Sequence, residues 1–194
     1  MNRLNVFEVE VNNEKYYISV VGIKFSNSKS LEHVLETVSS IESSYNLSLV
    51  LVNPKILATE IHGVIAAKYA LKSFKHRTNV SKNLDLETLV YISANRQIKE
   101  AISIAGPGGI FSSVSVVIIS KNPKSIEKAL EELLQREQGT LDNSLLDITK
   151  DKVDHIREVF SIKDEELKVT LAETQEEALV KCTLSRLALF HIKK

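Results

Sequence analysis

Residues 57–109 read LATEIHGVIAAKYALKSFKHRTNVSKNLDLETLVYISANRQIKEAISIAGPGG, and the punctuation of this stretch decides the fold. A long helix over 55–75 carries Leu57, Ile61, Val64, Leu71 and Phe74 at helical spacing as its buried stripe. Asp85 can cap a second helix running to Tyr91 or Ile92, although TLVYI (88–92) taken alone fits a strand equally well. Asn95 is placed to cap a third helix over 96–105, with Ile98, Ala101, Ile102 and Ala105 facing inward. Gly106 stops it, and Pro107 follows as it does beyond many helix ends.

Outward from this helical centre the pattern changes to strands. Residues 6–11 alternate, Asn12-Asn13 offers a turn, and residues 16–24 are rich in β-formers, so a hairpin is expected over about 5–25. Residues 30–43 repeat apolar side chains at helical spacing, with Ser28 or Ser30 as the cap. A short apolar strand over 47–52 ends at Pro54, and the β-branched run 114–120 is a buried strand. A helix over 125–135 follows Asn122-Pro123. Two more are expected over 152–160 and 175–192, with irregular structure between them. The expected architecture is a single α+β domain over 1–194, a small mixed or mainly antiparallel sheet packed with several helices. Its central helices span 55–106 and its C-terminal helices 150–192.

Charge is balanced overall, 25 basic against 25 acidic residues, but not locally. Between Ile61 and Leu84 stand Lys68, Lys72, Lys75, Arg77 and Lys82 with no acid among them, whereas residues 126–177 hold fifteen acids and seven bases. A basic field on a neutral chain can hold a polyanion without making the whole surface adhesive. Lys68, Lys72 and Lys75 are spaced four and three apart, hence on one helix face, with His76 and Arg77 extending the patch. Docking of RNA and simple solvation of the face both fit this pattern, and Arg77 can equally serve the helix dipole. The Asn95-Arg96-Gln97 junction is more specific. It lies at a helix N-terminus, Arg96 and Lys99 share a face, and Asn95 and Gln97 can hydrogen-bond base edges.

No acid–base–nucleophile set converges in this sequence. Gly106-Pro107-Gly108-Gly109 lacks a phosphate loop's Gly-Lys-Ser/Thr ending and follows a helix, so it reads as a helix stop. His33, His62, His76, His155 and His191 show no metal-ligand spacing, so no metal and no cofactor are expected. His62 reads as a polar residue satisfied at the edge of a packed helix. A lone cysteine, Cys182, suits a reducing cytoplasm and the interior of the last helix. No apolar run approaches the roughly eighteen residues a membrane span needs, and MNRLNVFEVEV alternates like a strand rather than a signal peptide. The last helix is apolar almost all round, so both its sides must be covered. Either it is a central core helix, or one side meets a partner through residues such as Leu179, Cys182, Leu187 and Phe190.

The order of these words resembles the Cgi/TPRKB family, the PRPK-binding accessory subunits of the KEOPS (EKC) complex. The resemblance rests on His62, Ala66 and Ala70 in the first helix, on Glu87, Ser93, Arg96-Gln97-Ile98, Ala101 and Gly106, and on the strand VSVVIIS. It continues through DHIREVFSIKDEEL and ETQEEALVKCTLSRLALFHI, while the first 45 or so residues match weakly. The resemblance favours the helix over the strand at 88–92. It implies a non-catalytic subunit that binds and stimulates a Bud/PRPK-type kinase-ATPase through that protein's N-terminal lobe. A TsaD-like subunit would transfer the threonylcarbamoyl group to tRNA adenosine. It also implies capture of the single-stranded 3′ CCA end of tRNA, which falls on Arg96, Gln97 and the Lys68–Arg77 patch. From another class, a kinase-regulating interaction module without RNA contact is the alternative.

Overall fold

In the computed structural model, which describes residues 4–194, the architecture is organised by one long strand, β2 (Glu14–Ser30). It pairs antiparallel with β1 (Phe7–Val11) through a turn in which Asn12 and Asn13 both take positive φ, 50° and 62°. That geometry matches the twist of a two-residue hairpin, and asparagine tolerates it better than most residues. On its other side β2 pairs with β4 (Ile110–Ser120), which in turn pairs with β3 (Leu47–Val52), giving the order β1-β2-β4-β3. A short β5 (Gly139–Leu141) adds to the far end of β2. All the pairings are antiparallel, as expected, and an irregularity between Lys24 and Lys29 bends β2.

Side-chain alternation divides the core in two. Val21, Ile23, Leu49, Leu51, Val116 and Ile118 face α1 (Leu31–Tyr45) and α5 (Pro123–Glu137). Ile18, Val20, Val50, Val52, Val117 and Ile119 face the other layer, led by α2 (Glu60–His76), α3 (Leu84–Ile92) and α8 (Gln175–Lys193). Coverage on both faces explains the unbroken apolar run at residues 116–119 of β4. Each fully buried Val or Ile contributes about 1.5–3 kcal/mol. Contact with the sheet on α2 is made by small residues, Gly63, Ala66, Ala67 and Ala70, all buried. A Cβ at Gly63 would stand 2.9 Å from a Val20 methyl, so the helix rests directly on the strands.

Several boundaries differ from the sequence expectation. Helix α2 begins at Glu60, not at residue 55. Residues 56–58 are buried as a non-helical segment, with the Ala58 amide donating to His62 Nδ1 at 3.3 Å. Ile61 is exposed and Phe74 only half-buried, so the stripe runs instead through His62, Val64, the small residues and Leu71. Asn83, not Asp85, precedes α3, without a side-chain cap. Helix α4 (Ile98–Ala105) starts later than expected, because Asn95 Oδ1 accepts from the Gln97 amide at 2.9 Å and turns the chain before the helix begins. Ile102, expected inside, is exposed. Helix α6 (Lys150–Phe160) and α8 are not joined by irregular chain alone, since α7 (Asp164–Val169) lies between them. A 3₁₀ turn (Asn143–Leu146) crosses so near β2 that a Cβ at Gly22 would stand 2.1 Å from the Asp142 carbonyl oxygen. Among the described residues no helix is long and apolar enough to cross a membrane.

Candidate nucleic-acid interface

The cations of α2 part into two groups. Lys75 turns toward the hairpin and pairs with Glu14, which also binds Lys121 at 2.5 Å and accepts from the Tyr16 hydroxyl at 3.1 Å. These bonds, with Lys121 first and Lys75 next, hold the Glu14 carboxyl down at about 2. The acid missing from residues 61–84 is thus supplied by the hairpin. Lys72 instead lies over the Tyr69 ring, 5.8 Å from its centroid. Lys68 is half-buried one turn earlier, with no ion pair among the described residues. Arg77 is exposed and ends α2 in the left-handed conformation, φ 57°, its amide directed at the Ser73 and Phe74 carbonyls.

Beside Lys72 lies the end of α8. The His191 ring stacks on Tyr69 at 4.3 Å and 15°, and its Nδ1 lies 2.9 Å from the Tyr91 hydroxyl. Phe190 meets Tyr91 edge-on at 5.4 Å. Lys194 Nζ sits 4.3 Å from the Tyr91 centroid and pairs with Glu87, both side chains being within 1% of complete burial. Glu87 also accepts from Ser73 Oγ at 2.8 Å and from the Val80 and Ser81 amides at 3.0 and 2.9 Å. One carboxylate therefore joins α2, the 78–83 loop, α3 and the end of α8. Burial pushes the Tyr91 phenol up to about 12, so it stays protonated.

Arg96 completes the cluster. After α3 the chain reverses at Ala94, which takes φ 49°, a conformation costly for a residue with a Cβ. Arg96 and Gln97 then stand exposed ahead of α4. Arg96 is near enough to Lys194 to lower its pKa, after burial as the larger cause. Likewise burial first, then Lys72, Lys194 and His76, lowers the pKa of His191. At the end of α8, His191 thus feels the charges of Lys72 and His76, and Lys194 that of Arg96. Lys75 stands apart with Glu14, and Lys99 is exposed on α4 beside Glu100 in the same first turn. Asn95 is half-buried and holds its own turn. Tyr91 is 1% exposed and offers no face for base stacking. The membership of His191 had no local signal, because residues 69 and 191 meet only through the tertiary fold.

Helix α8 is amphipathic once folded. Leu179, Cys182 and Leu187, expected as partner contacts, are buried in the core, and Phe190 turns inward onto Tyr91. Lys181, Ser185, Leu189 and Ile192, spaced four, four and three apart, form the opposite exposed face. Leu189 and Ile192 are 46% and 80% exposed. Beside Lys181 lies Leu171, 92% exposed, whose carbonyl accepts from Lys181 Nζ at 2.7 Å. His62, by contrast, is wholly buried in a T-shaped contact with Phe160, and burial lowers its pKa to about 4. That is a core imidazole.

These features define an α+β protein with a basic surface at the end of α8 and an apolar-ended ridge along that helix. The family described as Kinase binding protein CGI-121 matches residues 17–190, further toward the N-terminus than the sequence words suggested. Regulatory protein Cgi121 of Methanocaldococcus jannaschii is 31% identical over 121 residues, 61% of this chain and 75% of the archaeal protein. The chain belongs to the CGI-121 family.

Proposed function

We propose that this protein is a non-catalytic regulatory subunit of a KEOPS-type tRNA-modifying assembly. It docks on a Bud/PRPK-type kinase-ATPase and captures tRNA by its single-stranded 3′ CCA end. The transfer chemistry belongs to a TsaD-like subunit reached only indirectly. The observation that carries the reading is the basic field at the end of α8, where His191 stacks on Tyr69 under the charges of Lys72 and His76, and exposed Arg96 bears on Lys194. Lys68 extends that surface along α2. Phosphates meet Lys and Arg there, giving salt-dependent affinity, and Tyr69 and His191 are the half-buried rings nearest those cations. The family's description supports the kinase partner, and the exposed Leu171–Leu189–Ile192 side of α8 is the surface proposed to receive it.

The reading is tested by titrating the protein with one tRNA, intact and with its 3′ CCA removed, at two salt concentrations. Salt-sensitive binding that is lost on trimming supports capture of the CCA end. Equal affinity for both RNAs, or none for either, overturns it. One observation favours the RNA-free alternative, a module acting on the kinase alone: Glu14 already neutralises part of the basic field through Lys75 and Lys121.

A further inference from the structure

His191 occupies an unusual place in the basic cluster. Its ring is fixed on both sides of its chemistry: one face stacks on Tyr69, and Nδ1 is bonded to the Tyr91 hydroxyl. Nε2 has no hydrogen-bond partner among the described residues and is not one of the buried unsatisfied atoms, so it remains open to an incoming group. The charged and titratable groups around it come from each element packed there. Helix α2 supplies Tyr69, Lys72 and His76; α3 supplies Tyr91, with Glu87 beneath it; the end of α8 supplies Lys194. Arg96 approaches from the α3–α4 junction through Lys194. Glu87 is taken up by Lys194, so the field felt at the ring is cationic. Burial first, and then that field, lower the pKa of the imidazole in the free protein.

A bound phosphate would offset part of that field. We infer that the His191 imidazole takes up a proton when an RNA phosphate settles at its open Nε2 beside Lys72, so that RNA binding at this surface is coupled to proton uptake from solvent. This inference rests on the RNA-capture reading and adds a residue and a proton to it. In the charged ring both nitrogens donate, Nδ1–H to the Tyr91 oxygen and Nε2–H to the anion.

The sign of the pH dependence follows. Phosphate raises the His191 pKa in the complex above its value in the free protein. Affinity is therefore greatest below the free-protein pKa, falls as pH rises between the two values, and is level above the bound value. Each pH unit separating them gives about a tenfold change in affinity. The experiment uses the full chain and a tRNA-derived minihelix ending in unpaired CCA, at fixed ionic strength, from pH 5.5 to 8.5. Imidazole NMR signals of His191 are followed in the same samples. The expected result is an affinity that declines with pH, a His191 titration displaced upward by the RNA, and a flattened profile for His191→Gln but not for His33→Gln, which alters an exposed histidine on α1 across the sheet. Salt-dependent binding with an unmoved His191 titration and an unchanged profile in His191→Gln overturns the coupling and leaves RNA capture standing. Absence of binding at every pH overturns both.

Discussion

Glu87 and Lys194 form an ion pair almost completely removed from water, and the same carboxylate also receives Ser73 Oγ and the Val80 and Ser81 amides. This single group fixes the end of α8 against α2 and α3, and with it the placement of His191 beside Lys72. A buried pair is weak evidence of net stability, but removing one partner strands the other. Glu87→Met is expected to destabilise the protein by about 3 kcal/mol, and Glu87→Met with Lys194→Met to recover a good part of that loss. Denaturant midpoints check both. Additive losses would show that the pair is not coupled.

His62 makes stability depend on pH. Its pKa is about 4 in the folded chain against an ordinary value of 6.5. A histidine with a depressed folded pKa contributes stability that is fully present above 6.5 and is lost as pH falls toward 4. The gap corresponds to about 3 kcal/mol. Urea midpoints measured from pH 7.5 down to 4.0 are expected to fall more steeply in the wild type than in His62→Gln. Parallel curves would place the acid sensitivity elsewhere.

The two sides of α8 should respond differently to charge. Leu187→Glu places a carboxylate in the core and is expected to abolish cooperative folding. Leu189→Glu with Ile192→Glu alters only exposed positions and is expected to change stability by less than about 0.5 kcal/mol while releasing the kinase. Thermal unfolding and co-purification with the kinase read the two effects. A folded double variant that still holds the kinase would move the docking surface off this ridge.

Much of the fold was legible because its determinants are local. The Asn12-Asn13 turn, the β3 strand at 47–52 and the Asn122-Pro123 start of α5 are each set by a few adjacent residues. The start of α2 was not, because residues 56–58 are held by burial and by the long reach of His62 Nδ1 rather than by helical bonds. Helix α8 misled for a related reason: its apolar residues encircle the helix in sequence, yet only one side meets the core, and the other leaves Leu189 and Ile192 in water. In the site, the shared face of Lys68, Lys72 and Lys75 follows from helical spacing. Glu14 lies 61 residues from Lys75, and Tyr91 lies 100 residues from His191, so neither relationship is written in any local pattern.

The central claim, that the cations at the end of α8 bind tRNA, is tested most directly by Lys72→Glu with Arg96→Glu. Affinities for tRNA and for the kinase are measured on the same preparation, with Lys75→Ala as the comparison. The double reversal is expected to weaken tRNA binding by about a hundredfold, to reduce the salt dependence by about two ions, and to leave kinase affinity unchanged. Lys75→Ala, whose charge Glu14 already meets, is expected to change tRNA affinity by less than about threefold. Undiminished tRNA binding by the folded double variant would contradict the account.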